Sequence, residues 1–162
     1  IDRIPEARLL IVGDGPQRPK LEQIITELGL ERRVTITGFQ PYQTMPQYIN
    51  LATVCINPFL NTEATRDIFP GKIIQYLACG KVTVATPLLG ITALIPDESR
   101  GIVYADDAED MAGKVVGLLE SAERSQQIGQ AGIAYVKQVH DQQMIAHQLE
   151  TDLAEIVKRG KR

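Results

Sequence analysis

Residues 72–90 read KIIQYLACGKVTVATPLLG and join a helical pattern directly to an apolar strand. The helical half has an apolar side formed by Ile73, Ile74, Leu77 and Ala78, whose spacing matches the turn of an α-helix. Gly80 ends this pattern, and the β-branched run at 82–85 (VTVA) predicts a strand that is buried on both faces. A helix that leads at once into such a strand is typical of a parallel α/β sheet.

The same alternation of strands and helices continues along the rest of the chain. Five apolar strands are predicted, at residues 8–13, 34–37, 53–57, 82–85 and 101–104. The predicted helices end at Gly29, run from a Thr44 capping box to Leu51, run from Pro70 to Cys79, and cover residues 106–119, 122–139 and 142–158. Because the strands are uniformly apolar, the pattern predicts a doubly wound parallel sheet with helices on both faces.

Length and composition exclude several classes of protein. The chain has 162 residues, 44% of them apolar, which predicts a single domain over residues 1–162. No run approaches the roughly 18 apolar residues that a membrane span needs. The charge is balanced at 17 basic and 20 acidic side chains without a basic block, so nucleic acid is not an expected partner. Cys55 and Cys79 lie in apolar runs and are interpreted as buried thiols of a cytoplasmic protein, with no metal site.

Ligands of such sheets bind beyond the carboxyl ends of the strands, so the loops after the strands are the candidate sites. Gly13 and Gly15 follow the first strand, where glycines allow a backbone to approach an anion closely. A plain structural turn explains them equally well. Gly38 and Phe39 follow the second strand, where an aromatic ring could stack on a base, although ordinary packing is the commoner role of such a ring.

The loop after the third strand carries the densest group of charges. Within residues 57–80 (NPFLNTEATRDIFPGKIIQYLACG), Arg66, Asp67 and Lys72 surround the predicted start of a helix. Lys72 and Gln75 lie three residues apart and therefore share one helix face. The backbone amides before the helix could face an anion. On residue chemistry alone, a charge cluster that merely caps the helix is the favoured interpretation.

Three segments taken together resemble a known family. IVGDGP (11–16), VTITGF (34–39) and residues 72–90, in this order, resemble the C-terminal domain of group 1 (family 4) glycosyltransferases of the GT-B fold. The resemblance runs from about Ala7 to the end of the chain. It implies one Rossmann-like half of a two-domain enzyme, the half that binds the nucleotide-sugar donor. The acceptor domain would precede it, and the absence of an initiator methionine agrees with a piece of a longer protein.

The family signature is a pair of glutamates with seven residues between them, and Asp67 and Gln75 occupy the matching positions. The resemblance implies that Asp67 is the catalytic acid near the donor sugar and that Gln75 holds ribose hydroxyls. A neutral amide should bind a ribose more weakly than a carboxylate, by about 1 kcal/mol. The arginine and lysine with which the family neutralises the diphosphate have no match before Ala7, so Arg66 and Lys72 are only candidates to supply charge. The amides around Ile68, Phe69, Pro70 and Gly71 are the better candidates for pyrophosphate contacts. Gly38 and Phe39 resemble the base-binding edge of the family, and Gly13 and Gly15 are the remaining donor-binding candidates.

The resemblance therefore implies a retaining glycosyltransferase that moves a hexose from a nucleotide diphosphate sugar without a metal or other cofactor. We expect the isolated chain to be inactive, because the second wall of the cleft lies in the acceptor domain. The last predicted helix would cross back to that domain. Three alternatives stay open: a non-catalytic nucleotide-sugar or phosphosugar binding module, a relative that epimerises or phosphorylyses its substrate, and a purely structural or interaction domain.

Overall fold

A computed structural model describes residues 3–159 of the chain. The chain divides into two compact units, Ile1–Ala52 and Thr53–Arg162. The single domain expected over residues 1–162 stays a prediction. Within residues 3–159, every helix is too short or too polar to cross a lipid bilayer.

The first unit contains a two-stranded parallel sheet with its helices. Its elements are β1 (Leu9–Ile11), α1 (Arg18–Glu27), β2 (Val34–Ile36), a 3-10 turn (Tyr42–Thr44) and α2 (Met45–Leu51). Leu9 pairs with Val34 and Ile11 with Ile36, which places the carboxyl ends of both strands side by side. The loops that follow the two strands therefore begin at the same edge.

The helices of this unit differ from the sequence prediction in one detail. α1 ends as predicted at a glycine with a positive φ, Gly29. The Thr44 capping box does not form, because the Thr44 hydroxyl donates to the Pro41 carbonyl oxygen at 2.7 Å inside the preceding 3-10 turn. The α2 N-terminus consequently has no side-chain cap.

The second unit contains a three-stranded parallel sheet in the order β3-β4-β5. Its elements are β3 (Val54–Asn57), α3 (Lys72–Ala78), β4 (Val82–Ala85), α4 (Leu89–Thr92), a 3-10 turn (Glu98–Arg100), β5 (Ile102–Tyr104), α5 (Ala108–Glu120), α6 (Ala122–Val139) and α7 (Gln142–Arg159). All five predicted strands are present, and they pair into two parallel sheets rather than one.

The central strand β4 confirms the prediction of a strand covered on both faces. All four of its residues are buried. Ala85 belongs to a core cluster with Ile73 and Leu77 of α3, whereas Val84 belongs to a second cluster with Leu118 of α5. Successive side chains of a strand point to opposite faces, so α3 and α5 lie on opposite sides of the sheet. This is a doubly wound α/β arrangement.

Glycines permit the closest contacts behind this sheet. A Cβ at Gly129 of α6 would lie 2.1 Å from the carbonyl oxygen of Gly80, and Gly80 has a φ of +69° at the end of α3. The glycine pair allows α6 to pack directly on the turn between α3 and β4. This packing fixes the end of α3 that is opposite the candidate site.

Three sequence predictions for this unit need correction. The N-cap of α5 is Asp107, whose carboxylate accepts from the Asp110 amide at 2.8 Å, and not Asp106. The short helix α4 was not predicted. Cys55 and Cys79 are both free thiols, but only Cys55 is buried and Cys79 is half-buried. Burial raises the pKa of the Cys55 thiol to about 12.

Candidate functional site

The loop between β3 and α3 (residues 58–71, the β3–α3 loop) contains most of the candidate residues. Threonines shape its middle, since the Thr62 amide donates to the Thr65 hydroxyl at 2.9 Å and the Arg66 amide donates to the Thr62 carbonyl at 2.8 Å. Short polar side chains of this kind replace the missing partners of a backbone that turns outside a helix or sheet. The turn places Arg66 and Asp67 at its outer end.

Arg66 and Asp67 form an ion pair with each other. The Arg66 Nε lies 3.1 Å from the Asp67 Oδ2, and the two side chains are 60% and 63% exposed. An exposed pair contributes little to stability, so a bound ligand can replace either partner. The structure thus presents the predicted catalytic carboxylate to solvent, and Arg66 neutralises it in the ligand-free chain.

The segment that leads into α3 has several unpaired amides. The Ile68 amide donates to the Thr65 carbonyl at 3.1 Å, so the prediction that Ile68 offers its amide to an anion does not fit. Within the described chain, the amides of Phe69, Gly71 and Lys72 have no hydrogen-bond acceptor. Pro70 is buried and precedes α3, which begins at Lys72 and not at Pro70 as predicted. Three amides around the helix start are therefore available.

Lys72 and Gln75 lie on α3 beside these amides. The Lys72 Nζ lies 5.7 Å from the centroid of the Phe59 ring, which holds the ammonium at the base of the loop. Lys72 is exposed, whereas Gln75 is half-buried. Because the charges of Arg66 and Asp67 cancel each other, the Lys72 ammonium adds a positive charge beside these amides.

A residue to which the sequence analysis gave no role supports the loop from behind. The Gly90 amide, in α4, donates to the Arg66 carbonyl at 3.0 Å. A Cβ at Gly90 would lie 2.4 Å from the Asp67 carbonyl oxygen and 2.7 Å from that of Ile68. Only a glycine fits this contact without movement of the loop. The sequence contains this glycine at the end of the PLLG segment (residues 87–90), but a sequence pattern cannot show which part of the backbone it contacts.

In the first unit, the two candidate glycine loops lie next to each other. The Gly13 amide donates to the Gly38 carbonyl at 3.0 Å, and both glycines have positive φ. The loops after β1 and β2 therefore contact each other within this unit. Phe39 is 88% exposed, so the first of its two predicted roles, a free aromatic face, fits better than packing.

The Gly15 amide takes part in a local hydrogen bond with the preceding side chain. Its amide donates to the Asp14 carboxylate at 2.8 Å, and Arg18 pairs with the same carboxylate at 3.0 Å. The hydrogen bond from Gly15, followed by that from Arg18, lowers the pKa of Asp14. The Gly15 amide of the ligand-free chain is thus paired with a neighbouring carboxylate, and the assignment of Gly15 to the donor stays a prediction.

Two further side chains of the second unit escaped the sequence analysis. Asn57, at the end of β3, is fully buried, and neither side-chain atom has a hydrogen-bond partner within the described residues. His140, between α6 and α7, lies against Phe69 of the β3–α3 loop with ring centroids 6.4 Å apart. A contact over 71 positions of sequence has no local signal.

Comparison with known proteins decides the family. The family profile described as "Glycosyl transferases group 1" matches residues 1–121. The chain belongs to the group 1 glycosyl transferases. The resemblance carried by residues 11–16, 34–39 and 72–90 is thereby confirmed.

Two curated relatives in this family act on different sugars. The chain is 34% identical over 119 residues to an alpha-D-kanosaminyltransferase of Streptomyces kanamyceticus, covering 73% of this chain and 30% of the relative. It is 31% identical over 134 residues to a GDP-mannose-dependent alpha-(1-6)-phosphatidylinositol monomannoside mannosyltransferase of Mycolicibacterium smegmatis, covering 80% and 35%. The chain thus spans about a third of the length of these relatives.

Solved structures give the same fold. The HepE protein of Anabaena, in complex with UDP-glucose, has a TM-score of 0.79 at 25% identity, with 94% of this chain and 42% of that chain covered. The C-terminal domain of a group 1 glycosyl transferase from Francisella tularensis has a TM-score of 0.73 at 18% identity, with 87% and 73% covered. The group 1 glycosyl transferase chain therefore has the Rossmann-like fold of one half of a GT-B enzyme.

Proposed function

We propose that this chain is the donor-binding part of a retaining hexosyltransferase that uses a nucleotide diphosphate sugar. The observation that carries the proposal is that the β3–α3 loop and the first residue of α3 combine the exposed Asp67 carboxylate with the amides of Phe69, Gly71 and Lys72, which have no acceptor among residues 3–159. Free amides and an ammonium recognise a diphosphate, and a nearby carboxylate suits a sugar. Membership of the group 1 glycosyl transferases supports the same assignment.

Catalysis in this proposal depends on position and charge. The amides and Lys72 would stabilise the diphosphate as it leaves, since charge develops on its oxygens in the transition state. Asp67 would approach the transferred sugar after its pair with Arg66 opens, and Gln75 would hydrogen-bond the ribose hydroxyls. Each of these roles is taken by this chain's own backbone amides and side chains, and the proposal uses no metal or other cofactor.

In the proposal, Gly38 and Phe39 of the first unit keep the role in base binding that the family resemblance implies for them. Phe39 offers an aromatic face that is 88% exposed, and Gly38 offers backbone groups next to it. Stacking accepts any base, so the choice of nucleotide would come from hydrogen bonds to the base edge. Among related proteins, one is named as GDP-mannose-dependent and another was solved with UDP-glucose, so the base and sugar vary among the relatives.

The whole protein would complete the site with an acceptor domain. The chain covers 42% of the HepE chain and 40% of a sucrose-phosphate synthase from Thermosynechococcus elongatus, which has a TM-score of 0.79 at 25% identity. The exposed apolar stripe of α7 (Ile145, Leu149, Leu153 and Ile156) would pack on that domain. A cytoplasmic location belongs to the proposal and is supported by the two free thiols.

The proposal is tested by the exchange of single side chains in the binding site. Gln75→Ala should weaken binding of the cognate nucleoside diphosphate, whereas Gln75→Glu, which restores the family residue, should preserve or tighten it. Asp67→Ala should weaken binding of the nucleotide sugar, and Asp106→Ala is the matched control because that exposed carboxylate lies on another loop. Equal affinities of all four variants and the wild type would refute the assignment of the site.

A second candidate function is a non-catalytic nucleotide-sugar binding module. The observation that favours it is the substitution of both signature glutamates, together with the ion pair that covers Asp67. Both functions predict nucleotide binding by this chain and no turnover in isolation. They separate once an acceptor domain is joined to it, because only the transferase then releases nucleoside diphosphate from the sugar donor, and only with Asp67 intact.

A further inference from the structure

The ring of His140 connects the β3–α3 loop to the core of the second unit. On one side it lies against Phe69, at 6.4 Å between centroids and 28° between the ring planes. On the other side it meets Tyr135 edge to face, with centroids 5.3 Å apart and the His140 Nε2 3.1 Å from the Tyr135 hydroxyl. Both arrangements fall in the range of favourable aromatic pairs.

The far end of this connection is fixed. Tyr135 is 6% exposed and belongs to the core cluster that contains Ile73 and Leu77 of α3. The Arg100 guanidinium lies over the Tyr135 ring, 5.3 Å from its centroid. His140 is therefore held by a buried neighbour. Phe69, which is partly buried and also packs against this cluster, leads into the exposed outer part of the loop.

Phe69, the contact of His140 in the β3–α3 loop, lies in the segment that is proposed to bind the donor. Phe69 lies two residues after Asp67, and its own amide is one of the three without an acceptor within the described chain. Movement of the Phe69 ring would carry this amide and the neighbouring Asp67 backbone with it. The ring of Phe69 is thus the part of the loop through which a core contact can set the direction of its binding groups.

We propose that His140 is a positioning residue for donor binding, and that its ring holds Phe69 so that the Phe69 and Gly71 amides face the diphosphate. This inference rests on the proposed function of the loop. His140 touches no substrate in this account and acts through Phe69 alone. His140 also lies at the junction of α6 and α7. The next residue, Asp141, caps α7 by accepting from the Gln143 amide at 2.9 Å. The residue that contacts Phe69 therefore directly precedes the start of α7.

The test compares His140 variants of this 162-residue chain, with UDP, GDP and ADP as probes. For whichever nucleotide binds the wild type, His140→Ala should lower the affinity by roughly 2- to 10-fold, the range expected for the loss of an aromatic pair. His140→Phe keeps the ring and should restore the affinity. His147→Ala is the matched control, since the second histidine is exposed on α7. Unchanged affinity in His140→Ala, or failure of His140→Phe to restore it, would overturn the inference.

Hydrogen exchange in the ligand-free chain separates this inference from the donor proposal. His140→Ala should speed exchange of the hydrogen-bonded amides on either side of Phe69, those of Ile68 and Ile73, relative to the wild type and to His147→Ala, whether or not any nucleotide binds. If no nucleotide binds the wild type, the donor proposal fails and this measurement still decides the role of His140. Should His140→Ala not fold, Phe69→Leu removes the same stacking from the loop side and should give the same faster exchange.

Discussion

The backbone of Asp67 lies directly on Gly90, at a distance that leaves no room for a side chain. A Cβ at position 90 would lie 2.4 Å from the Asp67 carbonyl oxygen and 2.7 Å from the Asp67 carbonyl carbon. The Gly90 amide also donates to the Arg66 carbonyl at 3.0 Å. The backbone of α4 therefore fixes the position of the Arg66–Asp67 segment.

Replacement of Gly90 should disturb the stability and the binding site together. Gly90→Ala forces the segment at 66–68 to move, and overpacking of this kind costs about 1–3 kcal/mol in the free energy of unfolding. Nucleotide affinity should fall as well, because Asp67 and the following amides move with the backbone. Denaturant unfolding and calorimetric titration measure the two effects.

The matched control for this substitution is Gly113→Ala. Gly113 lies in α5, and no heavy atom lies within 4 Å of the place that its Cβ would take. Since alanine favours a helix, this variant should be more stable by about 0.5–1 kcal/mol and should bind nucleotide unchanged. A Gly90→Ala chain that behaves like Gly113→Ala would contradict the close contact.

The start of α5 gives a prediction that separates two adjacent carboxylates. Asp107→Ala removes the acceptor of the Asp110 amide and should destabilise the chain by about 0.5–2 kcal/mol. Asp106→Ala should have a much smaller effect, since the hydrogen bond at that position uses the backbone amide, which donates to Asp110. Thermal unfolding of the two variants side by side checks this order, and equal melting temperatures would count against it.

The two cysteines should react at different rates with a thiol reagent. Burial raises the pKa of Cys55 to about 12, so at pH 8 hardly any reactive thiolate forms there. Burial also raises the pKa of the half-buried Cys79, but its sulfur is more accessible. Iodoacetamide should therefore label Cys79 in the native chain and Cys55 only after unfolding. Mass spectrometry reads both sites, and rapid native labelling of Cys55 would contradict its burial.

The buried side-chain amide of Asn57 should lower the stability of the second unit. Because its buried nitrogen and oxygen have no partner within the described chain, they leave about 1–3 kcal/mol of desolvation uncompensated. Asn57→Val removes the amide and suits a strand, so the free energy of unfolding should rise, by about 1 kcal/mol. A clear loss of stability in urea unfolding would show instead that the Asn57 amide has a partner in solution.

The sequence predicts those parts of the fold that depend on local pattern. The strand at 82–85 and the helix at 122–139 appear with the predicted bounds, since an apolar run and a long amphipathic stripe are signals in themselves. The N-cap of α5 is wrong by one residue, because Asp106 and Asp107 offer the same chemistry and only the backbone conformation at 107 selects between them.

The candidate site is predictable in its residue types but not in its contacts. Motif order locates Asp67 and Gln75, yet the ion pair with Arg66 and the occupied amide of Ile68 depend on how the loop turns. The supports at Gly90 and His140 come from other elements of the second unit. Such contacts over long sequence distances leave no periodic signal, so only the folded chain reveals them.

The central claim is that this chain binds the donor nucleotide at the β3–α3 loop. The most direct measurement is calorimetric titration of the chain with UDP, GDP and ADP and with their hexose conjugates. The account predicts selective binding of one diphosphate and its hexose conjugate. Gln75→Ala should weaken both, Asp67→Ala should weaken the conjugate, and Asp106→Ala should weaken neither. Absence of binding to all of them, or binding that neither Asp67→Ala nor Gln75→Ala affects, would contradict it.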